Sequence, residues 1–229
     1  IYIEQDRIDL CYAVSRLCSF LTRPNEACMR ALNRLCAYLY HHRDLGVFSD
    51  CTSWDDWRLH GRVDSDWAGC VTTRRSQTGF IIWLGTRIIR HTSNKQPTVA
   101  MSTPEAEWVG LAYIAREMKA CKLMLRELYM DHPAPALIRG DNVGSLYWAK
   151  SPSAQHIRKH IDIKRCWLTE AQERNFIELR HVRTQFNIAD MLTKALKPQT
   201  FTTLRDLIMS SKAHKRKTPI NHKWGQFHE

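Results

Sequence analysis

Three short apolar runs, Leu59 to Trp67, Thr78 to Leu84 and Arg87 to His91, lie close together and are followed by one long amphipathic segment, residues 103–130. That succession limits the folds open to the chain. Gly85 and Thr86 separate the second and third runs and suit a two-residue hairpin connection, so the three runs predict an antiparallel meander. The segment TPEAEWVGLAYIAREMKACKLMLRELYM has Thr103 as a candidate cap, Pro104 at the first helical position and an apolar face through Trp108, Leu111, Ala115, Met118 and Leu125. A helix of that length must lay its face on the meander.

Beyond the prolines at 133 and 135, PALIRG reads as a strand ending at Asp141, and FIELRHVR, 176–183, as another. Helices are expected at Val143 to Ala149 and His160 to Ala171, and a last short one at 187–196. The fold class is therefore α/β, a mixed five-stranded sheet flanked by helices. Two further helices, 7–21 and Asn25 to Tyr40, precede it on either side of Pro24, and the polar stretch 42–57 marks a boundary. The expected organisation is a helical segment at 1–57, the α/β domain at 58–197 and an extension at 198–229 with a basic, disordered tail.

The chain carries 34 Lys and Arg against 23 Asp and Glu, a formal net charge of +11. Such a balance favours a polyanionic partner. With no run of 18 or more apolar residues, no membrane-spanning segment is expected. The eight cysteines form no CxxC pair, which argues against zinc and for buried free thiols, with some disulfides as the alternative in an oxidising compartment. The tryptophans at 67, 83, 108, 148 and 167 fall on core periods.

Four acids sit at element junctions: Asp64 on the first strand, Glu107 in the first turn of the long helix, Asp141 at a strand end, and Asp190 in the first turn of the closing helix. First-turn acids complement helix dipoles, and Asp141 and Asn187 have the residue type of caps. Asp64 has no such role within a strand, where a buried carboxylate is costly. Convergence of the four would instead supply the oxygen-rich ligation that suits Mg²⁺ or Mn²⁺. Their spacings of 43, 34 and 49 define no motif by themselves.

The words around them do. VDSDWAGC, TRRSQTGFIIWLG, SNKQPTVAMSTPEAEW, GDNVGSLYWAKSPSAQHIRKHIDIK and IELRHVRTQFNIADMLTKAL resemble, in order, the ribonuclease H domain of copia-type retrotransposon Pol polyproteins, and residues 1–45 resemble the end of the preceding reverse transcriptase. The resemblance implies a ribonuclease H fold that cleaves the RNA strand of an RNA–DNA hybrid with Mg²⁺. Asp64, Glu107, Asp141 and Asp190 match the family's Asp–Glu–Asp–Asp set. It also implies hybrid-binding roles for basic residues, for which Arg74, Arg75, Lys95, Arg158, Lys159, Lys164 and Arg165 are the candidates. Asp66, His160 and His181 are candidates for accessory roles. Strict alternation puts Asp66 on the same face as Asp64.

Two departures stand out: Cys70 where the family commonly has an acid, and Gly144 within the word after Asp141. Two other readings follow from the same resemblance. One is a catalytically idle remnant. The other is a recruited protein similar to a secreted oomycete RxLR effector, acting on a host protein in plant cells to suppress cell death, although no R-x-L-R word followed by an acidic one is present near Ile1. Expected localisation is cytoplasmic or nuclear for the retroelement enzyme, with a reverse transcriptase portion as partner, and secreted for the effector.

Overall fold

A computed structural model of the chain describes residues 7–47, 57–130, 132–150 and 159–211, with the side chains of 148–150, 159–165 and 211 outside the description. The expected meander is present. Strands β2 (Leu59–Asp66), β3 (Gln77–Leu84) and β4 (Arg87–Lys95) pair antiparallel, following a short β1 (Leu45–Val47). Strand β5 (Ala136–Gly140) adds parallel to β2, and β6 (Ile177–His181) parallel to β5, giving the order β4-β3-β2-β5-β6. This mixed five-stranded sheet with flanking helices is a ribonuclease H-like fold. No helix among the described residues is long and apolar enough to cross a membrane.

Alternation along β2 divides the molecule into two cores. Leu59 and Val63 face α3 (Thr103–Glu127), where Phe80, Trp108, Leu111, Ile114, Met118 and Ile138 close around them. The opposite face gathers Ile81 and Trp83 with Ile8 and Cys11 from the N-terminal segment and Ile188, Leu192 and Leu204 from the end of the domain. That second core makes the preceding helices, α1 (Cys11–Cys18) and α2 (Glu26–His41), neighbours of the sheet. After α4 (Val143–Lys150), α5 (Lys159–Glu173) and α6 (Pro198–Asp206), strand β7 (Met209–Ser211) pairs antiparallel with β1. Residues 45–47, after the N-terminal helices, are thus tied to the C-terminal end of the described chain.

Several expectations shift on inspection of the backbone. The cap of α3 is Ser102, whose Oγ accepts from the Glu105 amide at 3.3 Å, so Thr103 is already helical. The helix ends at Glu127, with Tyr129 at φ 58° in the turn that follows. β4 runs on to Lys95 because its register with Gln77 continues past His91. The closing helix is a 3₁₀ turn, Ile188–Leu192. Trp67 is 49% exposed, since β2 has ended at Asp66, and its Nε1 donates to the Ala100 carbonyl at 3.0 Å. α2 buries no residue, and its Met29 is 55% exposed. The described cysteines form no disulfide, and Cys36 and Cys166 are exposed rather than buried; Cys51 and the basic tail 212–229 lie outside the described residues.

Gly79 pairs with Asp64 across β2 and β3. A Cβ there would collide with the Leu192 Cβ and press on the Leu192 backbone at 3.1 Å, so a glycine lets the closing 3₁₀ turn lie flat across the sheet. Gly46, by contrast, has open space around it. Gly79→Ala is therefore expected to cost about 1–3 kcal/mol in urea denaturation, against about 0.5 kcal/mol or less for Gly46→Ala. Equal, small losses would contradict this packing.

Candidate metal centre

The acid site forms where three elements end together. Asp64, 2% exposed near the end of β2, lies on the face toward the closing 3₁₀ turn, and its Oδ2 accepts from the Thr193 hydroxyl. Glu107, 6% exposed, sits just beyond the first turn of α3. The first-turn place belongs to Glu105, which accepts from the Met101 amide at 2.7 Å, so end-capping does not account for Glu107. Gly110, three residues on, permits the approach: a Cβ there would run into Ser65 Oγ and press on Val63 of β2. Asp141 follows β5. Its neighbour Asn142 takes the capping role, accepting from the Ser145 amide at 2.9 Å, which leaves the Asp141 carboxylate to the site.

Asp64, Glu107 and Asp141 each offer a carboxylate oxygen within 4.8 Å of the others. They form an acidic triad, with Asp64 and Glu107 buried and Asp141 half-buried, able to coordinate a divalent cation. Asp190 lies on the 3₁₀ turn, where Asn187 caps by accepting from the Ala189 amide at 3.4 Å. It is joined to the triad through Lys194, whose Nζ is 3.2 Å from Asp190 Oδ2 and 3.6 Å from Asp64 Oδ2. Asp190 Oδ1 is buried and has no hydrogen-bond partner among the described residues. An orphaned carboxylate oxygen beside a crowded acid triad is the donor set that a hard cation would satisfy.

Crowding shows in the ionisation of these groups. Burial, then the charges of Asp64 and Asp141, pushes Glu107 up to about 10. Burial, then Asp64, raises Asp190 to about 7 against the pull of Lys194. Burial alone would lower Lys194, but Asp64 and Asp190 outweigh it and raise it.

The accessory and basic candidates divide. Asp66 does share the face of Asp64, yet its Oδ1 accepts from the Gln77 amide at 2.5 Å and closes the β2–β3 ladder. Its other oxygen lies where a Cβ on Gly69 would be, so the carboxylate is folded over the turn, and it is raised mainly by burial. The exposed His181 donates from Nε2 to the Asp141 carbonyl at 3.1 Å, beside the acids. Arg74 and Arg75 are exposed in the loop leaving β2, and Lys95 donates to Ser19 Oγ on the N-terminal segment at 3.3 Å. Arg158 and the side chains of Lys159, His160, Lys164 and Arg165 lie outside the described residues.

Thr193 and Lys194 are site residues that the sequence reading passed over. Their signal was the i,i+4 pairing of Asp190 with Lys194 inside the word ADMLTK. Cys70, the departure noted in the sequence, lies in the loop leaving β2. Hydrogen bonds from Thr73, opposed by burial and helped by Lys95, lower its thiol to about 6.

The chain is 34% identical over 200 residues to the retrovirus-related Pol polyprotein of transposon RE1 from Arabidopsis thaliana, an alignment covering 87% of this chain and 14% of that protein. This is a ribonuclease H-like domain homologous to copia-type retrotransposon Pol polyproteins. The domain spans about one-seventh of that relative's length. It is also 35% identical over 111 residues to secreted RxLR effector protein 161 from Plasmopara viticola, covering 48% of this chain and 77% of that one. No family model matches the chain. Among solved structures it is similar to LC11-RNase H1, isolated from compost, with 15% identity and a TM-score of 0.42 over 60% of this chain and 93% of that chain.

Because Glu107 and Asp190 are raised, the folded domain favours their protonated forms. Their stabilising contribution is full below the ordinary carboxylate range and is lost as pH rises toward about 7 for Asp190 and about 10 for Glu107. In chelator, the urea midpoint is therefore expected to fall between about pH 5 and about pH 8, and Glu107→Gln to flatten that fall. A wild-type midpoint that is level or rises over this window would contradict the crowding.

Proposed function

We propose that the domain is a metal-dependent endonuclease that cleaves the RNA strand of RNA–DNA hybrids, using Mg²⁺, or Mn²⁺ in its place, held by Asp64, Glu107, Asp141 and Asp190. The observation that carries this reading is the meeting of three carboxylates from three elements within 4.8 Å, two of them buried where packing alone would favour apolar groups. When bound, such ions activate water and stabilise the leaving oxygen of an in-line phosphodiester displacement.

The protein's own residues supply position and charge. Thr193 fixes one oxygen of Asp64, and Asn142 and Asn187 anchor the segments that carry Asp141 and Asp190. His181, held at the Asp141 carbonyl, is the candidate to hand a proton to the departing 3′ oxygen. Arg74 and Arg75 leave the same strand end that carries Asp64 and are the candidates for phosphate contacts, with the sequence cluster 158–165 as a second set. The enzyme would act in the cytoplasm or nucleus beside a reverse transcriptase portion.

The relation to effector protein 161, of which the chain covers 77%, favours a second reading: recruitment as a secreted protein that acts on a host protein in plant cells to suppress cell death. The acid set is what separates the two. Mg²⁺-dependent cleavage of a labelled RNA–DNA hybrid to products with 3′-hydroxyls is expected of the wild type. Asp64→Asn and Asp141→Asn should each lose at least about a hundredfold in rate, since each removes part of the ion's binding set. Equal, slow degradation by all three proteins would sink the nuclease reading and leave the idle-remnant and recruited ones.

A further inference from the structure

Among the described residues, the ion pairs of the acid set run to one group, the ammonium of Lys194. Its Nζ lies between Asp190 Oδ2 and Asp64 Oδ2, at 3.2 and 3.6 Å. Two carboxylates on elements far apart in sequence, both almost wholly buried, are thereby bridged by a single positive charge. The bridge is lopsided in exposure: the side chain of Lys194 is 41% exposed, against 3% for Asp64 and 8% for Asp190. Its charged head reaches the acids from the solvent side and can swing back into water on its flexible stem, whereas the carboxylates cannot leave.

The lysine also leaves its task unfinished. It satisfies Asp190 Oδ2, while Oδ1 of the same carboxylate stays buried and without a partner among the described residues. Asp64 keeps a second anchor in the Thr193 hydroxyl and so holds its place whether or not the ammonium is present. A cation between Asp64 and Asp190 and a divalent ion on the same carboxylates would repel each other across a few ångströms of partly desolvated space.

We propose that Lys194 is a resident counter-ion: it holds Asp64 and Asp190 together in the metal-free protein and is displaced toward solvent when a divalent ion binds, so that it sets the ion concentration at which the site fills. This rests on the reading of the acids as a divalent-ion site. Lys194 is then a positioning residue, and its removal has two opposite effects. The metal-free protein loses a charge that offsets two buried carboxylates, while the ion no longer has a competitor to expel.

The test is Mn²⁺ titration by calorimetry, paired with thermal unfolding in chelator, on wild type, Lys194→Met, Lys194→Arg and Asp64→Asn. Lys194→Met is expected to unfold at lower temperature than wild type in chelator yet to bind Mn²⁺ about tenfold more tightly. Lys194→Arg, which keeps the charge, should stay near wild type in both. A lysine with a purely structural role would lower stability and weaken Mn²⁺ binding together, and that result overturns the proposal. So does unchanged Mn²⁺ affinity with weakened hybrid binding, which would place Lys194 on a substrate phosphate. If Asp64→Asn abolishes Mn²⁺ binding and Lys194→Met fails to tighten it, the counter-ion proposal alone falls; if Asp64→Asn binds Mn²⁺ as wild type does, the metal reading falls with it.

Discussion

Mutual repulsion among carboxylates at one end of the sheet is the constraint around which this domain is built. Asp64, Glu107 and Asp141 approach within 4.8 Å of one another, the first two buried, and Asp190 stands next to them across Lys194. Left to itself such a cluster would fly apart or take up protons, and the raised Glu107 and Asp190 show the second response. What keeps it assembled is the packing beneath. Gly110 lets α3 close onto β2, Gly79 lets the closing 3₁₀ turn lie against β3, and two asparagines take the helix-end work that would otherwise occupy the acids.

The same logic accounts for the groups around the site. Thr193 holds Asp64 with a neutral donor, and Lys194 brings one positive charge that remains partly in water. Asp66, although it shares a face with Asp64, is spent on the end of the β2–β3 ladder and on the turn at Gly69. Hydrogen bonds from Thr73 lower the Cys70 thiol near the start of the arginine loop. A strongly basic chain carries this acidic centre, an arrangement that suits an enzyme whose partner is a polyanion and whose chemistry needs cations.

Much of this was legible in the residues. Periods of 2 and 3.6 located the meander and α3, because their apolar faces are long and uninterrupted. Adjacent Ser102 and Thr103 are equally good caps by type, and only backbone geometry separates them. The apolar stripe of α2 marks an amphipathic helix but carries no information on whether a neighbour covers it, and Met29 is in fact exposed. Alternation put Trp67 in the core because it could not show that β2 stops at Asp66. The four acids were visible as junction acids, yet their grouping came from the resemblance, since intervals so long encode no contact. By type and spacing Asp190 and Lys194 are an ordinary i,i+4 pair, and the burial of Asp64 beside them is a tertiary fact that local spacing does not contain.

The account stands or falls on whether the acid end of the sheet is a cation site. Anomalous diffraction from crystals of the domain grown with Mn²⁺ addresses this directly. The account predicts strong anomalous density in contact with Asp64, Glu107 and Asp141. Crystals whose Mn²⁺ peaks lie elsewhere, with the carboxylates still crowded around one another and no density between them, would contradict it.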